Sequence, residues 1–208
     1  MSISTDVKVQ WVEGDLTVGS PIGIAPVQNV TALDPSLNLL RTSFTGEGVR
    51  RLSVTTTDRG RPTARIVLEG TGINDEPITD SLIPSVGIFG GTILSNLYFK
   101  TISSATVNGQ YPYANSLSIG MLDDVRVIVG DGKPIRIKGY STAAPTRNTN
   151  NFLEFHNGDF SPETLEFEVY IPPLNINYPI PDRGLVFNNG LYLQYVAGSL
   201  TMMNVFYA

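Results

Sequence analysis

The sequence predicts an all-β fold: two antiparallel β-sandwich or barrel-like domains with very little helix. Three observations carry that expectation. Apolar and polar residues alternate with a period of two along most of the patterned segments, which puts alternate side chains on opposite faces of a strand. Gly (20) and Pro (14) are plentiful and punctuate those segments, as short strands joined by tight turns require. Helical spacing is confined to short windows.

The elements follow in chain order. Residues 1–45 mix Gly, Pro and apolar residues without a strong period, and read as an extended N-terminal arm that packs on a neighbour. Within them Asp34-Pro35 is a helix start signal, so Ser36 to Arg41 is expected to form one helical turn. A first β domain is placed at 46–122. Leu52-Ser53-Val54-Thr55-Thr56 and Arg65-Ile66-Val67-Leu68-Glu69 alternate and favour extension. Leu94 to Lys100 has apolar spacing that fits a strand and a short helical turn equally well.

A second β domain is placed at 123–208. Val125 to Val129 and Ile135 to Gly139 flank Gly130-Asp131-Gly132 and predict a hairpin. Ser141 to Asn151 is a polar loop. Leu165 to Ile171 alternates. Ile171 to Pro181 holds too many prolines for a central strand and reads as an extended arm or a covered edge. Gly184 to Phe187, the turn Asn188-Asn189-Gly190, and Leu191 to Val196 predict a second hairpin with a type I′ turn. Leu200 to Tyr207 predicts a last strand that ties the C-terminus into a sheet.

Composition narrows the function classes. The charged fraction is 16%, below the ~25% usual for soluble domains, and the segments are too apolar for disorder. The net charge is −5, and no basic cluster exceeds Arg50-Arg51, which argues against nucleic acid and an anionic membrane. No apolar run approaches the ~18 residues of a membrane span, and the polar opening Met1 to Asp6 does not resemble a secretory leader. Cysteine is absent, which excludes disulfides, thiolate metal sites and a Cys nucleophile. Asn29-Val30-Thr31 fits a glycosylation acceptor and reads as a chance match.

Signals for chemistry are weak. His156 is the only histidine and one imidazole does not make a zinc site; it reads as structural. No G-x-S-x-G elbow occurs. Gly70-Thr71-Gly72-Ile73-Asn74-Asp75 and Gly130-Asp131-Gly132-Lys133-Pro134 imitate nucleotide loops but lack the remaining motif positions, so both read as turns. Asp123-Asp124 and Asn74-Asp75-Glu76 bring carboxylates together; adjacent strand residues face opposite ways, and the spacing matches no EF-hand. Aromatic residues, among them Tyr98, Phe99, Tyr111, Tyr113, Tyr192 and Tyr195, suit a core, an interface or a sugar platform. The expectation is therefore no enzyme, no catalytic residue, no metal and no cofactor.

Two stretches carry a resemblance. ARIVLEGTGINDEPITDSLI (64–83), with GGTILSNLYFKTISSATVNG (90–109) and LSIG (117–120), has a strand, a Thr-Gly turn, a polar tip, a Thr-Asp entry into the next strand and a Phe-Lys-x-Ile step. DRGLVFNNGLYLQYVAGSLTMMNVFYA (182–208) has a Gly-Leu-x-Phe-x-x-Gly-Leu-Tyr core. Both resemble β-rich structural proteins of tailed bacteriophages, namely head decoration and head–tail proteins. The resemblance implies a virion part assembled in the host cytoplasm, with the major capsid protein or other virion proteins as partners and homo-oligomeric contacts. A capsid decoration or cement protein is the leading expectation. A head–tail collar, connector or baseplate component is the alternative, and a receptor- or glycan-binding module is the alternative from another class. A polysaccharide-degrading β protein is the least favoured. Exposed strand edges, the Pro-rich segment and the N-terminal segment are the expected contact elements, with Phe44, Tyr98, Phe99, Tyr178, Tyr192 and Tyr195 as contact residues.

Overall fold

A computed structural model describes residues 7–13, 23–30, 36–44, 48–56, 65–83, 91–108, 115–143, 152–170, 176–181, 183–196 and 202–208. Among the described residues fifteen strands run in chain order: β1 (Lys8–Glu13), β2 (Ala25–Val30), β3 (Val49–Thr56), β4 (Arg65–Thr71), β5 (Pro77–Leu82), β6 (Thr92–Phe99), β7 (Thr101–Asn108), β8 (Asn115–Val129), β9 (Ile135–Ala143), β10 (Phe152–Asn157), β11 (Leu165–Tyr170), β12 (Ile176–Pro179), β13 (Leu185–Phe187), β14 (Leu191–Val196) and β15 (Met202–Tyr207). Among the described residues helix is limited to two 3-10 turns, Gly130–Gly132 and Pro162–Thr164. The protein is all-β and its sheets are antiparallel. The Leu94 to Lys100 window resolves as strand β6. Ser36 to Arg41 is not the expected helical turn: Ser36 makes a β-bridge to Thr106, and Leu37 is buried with its N–H on the Ala105 carbonyl. Core burial of Leu37 outweighs the local start signal at Asp34-Pro35.

The chain divides into two compact units. A terminal unit holds 1–16, 45–48 and 123–208; a central unit holds 17–44 and 49–122. The first residues are therefore not an arm throughout. β1 pairs along its length with β15, and β2 pairs with β8, because both segments satisfy their backbone groups within sheets of their own chain.

In the terminal unit one sheet has the order β1-β15-β9-β12, with β13 also on β9. The facing sheet runs β11-β10-β14 and on to the second half of β8. The two-residue rhythm sends Leu191, Leu193 and Tyr195 inward from β14, Leu153 and Phe155 from β10, and Val125, Val127 and Val129 from β8. They meet Ile135, Ile137, Tyr140 and Val205 from the first sheet. Tyr140 lies 5.6 Å from Phe155, and Phe167 stacks on Phe155 at 4.3 Å. In the central unit β5-β4-β7 form one sheet, β3 pairs with β6, and β2 with β8. Ile66, Leu68, Leu52, Phe99, Ile102 and Leu117 are core members there.

Both expected hairpins are corrected. β8 pairs with β14 while β9 pairs with β15, β12 and β13. Gly130-Asp131-Gly132 thus carries the chain from one sheet to the facing one. Its three residues have φ of 67°, 57° and 69°, a run of left-handed backbone that the two glycines adopt without steric cost. Likewise β13 lies on β9 and β14 lies between β10 and β8. At the Asn189-Gly190 turn only Gly190 has positive φ, 90°, so the turn is not type I′. Alternation decides that a segment is a strand, but both faces of a sandwich use the same alternation.

Residues 65–83 and 91–108 have a physical role in the central unit. Gly70 on β4 packs against the strand that follows the Phe99-Lys100 step, where a Cβ would strike the Thr101 carbonyl oxygen. Thr71 and Thr101 share a 2.8 Å hydroxyl hydrogen bond. Asp80 on β5 is buried and accepts the backbone N–H groups of Asn96 at 2.6 Å and Leu97 at 3.2 Å. Lys100 donates to both oxygens of Asp75 at the polar tip, at 2.7 and 2.8 Å. Phe99 and Ile102, flanking that lysine's step, are fully buried.

Candidate interaction site

The six aromatic residues expected at contacts separate into different environments. Phe99 and Tyr195 are core side chains, 0% and 1% exposed. Neither has surface to offer a partner, and both leave the set of contact residues; alternation put them on the inner face of β6 and β14. Phe44 is half-buried against the central core. Tyr98 is half-buried, with the Arg51 guanidinium 6.0 Å from its ring centre. Tyr192 is half-buried on the outer face of β14. Tyr178 is 55% exposed on the edge strand β12 and stacks on Tyr140 at 5.7 Å with the rings 6° from parallel. Burial, and next the neighbouring Tyr178, push the Tyr140 phenol above its usual range. Tyr111 and Tyr113 lie outside the described residues, as do the side chains of Asp123 and Asp124.

Tyr192 belongs to a cluster that the sequence did not reveal. Phe160 folds back from the β10–β11 connection and sits edge-on to Tyr192 at 5.1 Å, with the Arg126 guanidinium 4.7 Å from its ring centre. Arg126 donates from Nε to Gln194 at 2.7 Å. His156 lies beneath, 3% exposed, with Nδ1 3.1 Å from the Ser161 carbonyl oxygen and Nε2 3.3 Å from Glu154 Oε2. Asp159 closes the turn by accepting the Ser161 N–H at 2.8 Å and the Thr164 hydroxyl at 2.9 Å. The Ser161 amide, first, and then the Ser161 and Thr164 side chains hold the Asp159 carboxyl below the usual carboxylate range. The buried histidine is thus packed and bonded into a surface turn.

The exposed apolar surface collects elsewhere. β11 ends one sheet of the terminal unit, and β12 and β13 share the β9 edge of the other. These edges lie on one side of the sandwich, since Phe167 of β11 is 6.4 Å from Phe187 of β13. Leu165, Tyr170, Tyr178, Leu185 and Val186 are all 40% exposed or more on this side, five of the ten large apolar side chains so exposed among the described residues. Only Tyr178 among them was marked in the sequence. The signal for the rest was the alternation of Leu165-Glu166-Phe167-Glu168-Val169-Tyr170, whose Phe167 and Val169 point inward and whose other members remain at the rim. A sheet edge leaves backbone N–H and C=O groups ready for another chain.

Among the described residues no three His, Asp or Glu side chains lie close enough to hold a metal, and no helix is long and apolar enough to cross a membrane. Among the described residues, fold and edge together define an all-β, antiparallel protein whose β11 and β12/β13 edges have no further strand beside them. Comparisons with protein-family models, curated proteins and solved structures returned no significant match.

Proposed function

We infer that this chain is a structural subunit of a tailed-phage virion, a capsid decoration protein that braces the head through repeated modest contacts. The observation that carries the reading is the open side of the terminal unit, where two sheet edges and five exposed apolar side chains coincide. An edge of this kind on a free domain invites association. In a symmetric shell each copy makes several such contacts at once, so weak affinities combine through effective concentration. The resemblance of residues 64–83 and 90–109 to phage structural proteins supports the reading from the sequence side. A head–tail collar, connector or baseplate component would use the same surface at lower copy number. The aromatic platform of a glycan-binding module loses Phe99 and Tyr195 to the core.

Mass spectrometry of purified particles, with quantification against the major capsid protein, tests the reading. Hundreds of copies per particle are expected for a shell protein. A few copies in multiples of three, six or twelve would move the chain to the tail axis. Absence from particles made by cells that express it would contradict the virion role.

A further inference from the structure

The open side of the terminal unit is charged in a particular way. On the β11 side, Glu166 and Glu168 are exposed, and Glu168 stands directly opposite Glu154 in the β10–β11 register. Like charges placed opposite across strands are unfavourable. On the β12/β13 side, Arg136 and Lys138 of β9 both donate to the carbonyl oxygen of exposed Arg183, at 2.9 and 3.2 Å. Val186 is in register with Arg136. One rim of the side is therefore acidic and the other basic, with Tyr170, Tyr178, Leu185 and Val186 exposed at those edges.

We propose that this side is the contact between two copies of the chain, with β11 of each set against the β12/β13 edge of the other. A two-fold axis along the strand direction exchanges the two sheets of the sandwich while turning the open side toward itself. The acidic rim of one copy then meets the basic rim of the other twice, and the exposed apolar side chains are covered between them. Such an isologous contact is self-complementary, and complementary charge supplies its register. The β11 edge would not pair with its own copy, because Glu168 would approach its equivalent. The inference names the partner within the assembly role proposed above and rests on that role only for its place in a particle.

Charge exchange tests it on the full chain by sedimentation. The unaltered protein is expected to dimerise, less so as salt screens the rims. Glu166→Lys with Glu168→Lys makes both rims basic, and Lys138→Glu with Arg183→Glu makes both acidic. Each variant alone is expected to sediment as monomer, and an equimolar mixture to recover the dimer. Should either variant fail to fold, Val186→Asp, at an exposed edge position, is expected to give a folded monomer. A monomeric unaltered protein, a mixture that stays monomeric, or a dimer that survives Val186→Asp would overturn the proposal. A dimer absent from particles contradicts the virion reading alone, whereas a monomer found in particles contradicts the two-copy contact alone.

Discussion

Asp80 is a buried carboxylate that accepts four N–H groups: the main-chain amides of Ser81 at 2.8 Å, Asn96 and Leu97, and the side-chain amide of Asn96 at 3.3 Å. It joins β5 to the middle of β6, so a polar residue performs a packing task. Asp80→Ala strands those donors, and a buried donor left unmade costs about 1–3 kcal/mol. We expect a loss of about 3 kcal/mol in denaturant unfolding at unchanged slope, with Asp80→Asn losing less because it keeps an acceptor. An unaltered midpoint for Asp80→Ala would remove Asp80 from this role. Asp159 gives a pH-dependent counterpart. Its folded-state titration lies below the ordinary carboxylate range, so its contribution is present above the unfolded value and fades as pH falls through the folded one. Asp159→Asn is expected to lower the melting temperature at neutral pH, with the difference closing under acid conditions. A difference that persists unchanged into acid would show that charge at Asp159 is not what secures the turn.

At the scale of elements, the turns separate what the sequence discloses from what it hides. Residues such as Ile66, Leu68, Val127 and Leu193 announce strands because their own neighbours alternate, and the described strands agree with most of those segments. Sheet membership is set by contacts remote in sequence, and no local signal distinguishes a hairpin from a crossing between facing sheets. Gly190 illustrates the distinction. Its φ of 90° and the nearness of the Gly132 carbonyl exclude a Cβ, whereas Asn189 has no positive φ. Gly190→Ala is expected to destabilise by about 1–3 kcal/mol through overpacking and backbone strain, and Asn189→Ala by under about 0.5 kcal/mol, as exposed substitutions usually do. Equal losses in melting experiments would restore the type I′ turn. The candidate site was only partly legible for the same reason. Tyr178 stood out as an aromatic in a Pro-rich edge, but Phe160 reaches Tyr192 and Arg126 across the sheet, and Val186 meets Arg136 from a distant strand. The aromatics Phe99 and Tyr195 are core residues and not contacts, because residue type alone does not report which face of a strand is inward.

For the whole molecule, two features work together. Each unit closes its own core, the central one around Ile66, Leu68 and Phe99 and the terminal one around Phe155, Tyr195 and Val205. The terminal unit also draws both ends of the chain into one sheet through β1 and β15. Among the described residues no further strand lies beside β11, β12 and β13, and the rims of that side carry opposite charge. A density map of the intact phage particle, fine enough to trace strands, would place that side. We expect β11 and the β12/β13 edge to be buried against a second copy, with Tyr178 and Val186 out of solvent. A map in which those edges face open solvent, while the chain is held by other surfaces, would contradict assembly through the open sandwich side.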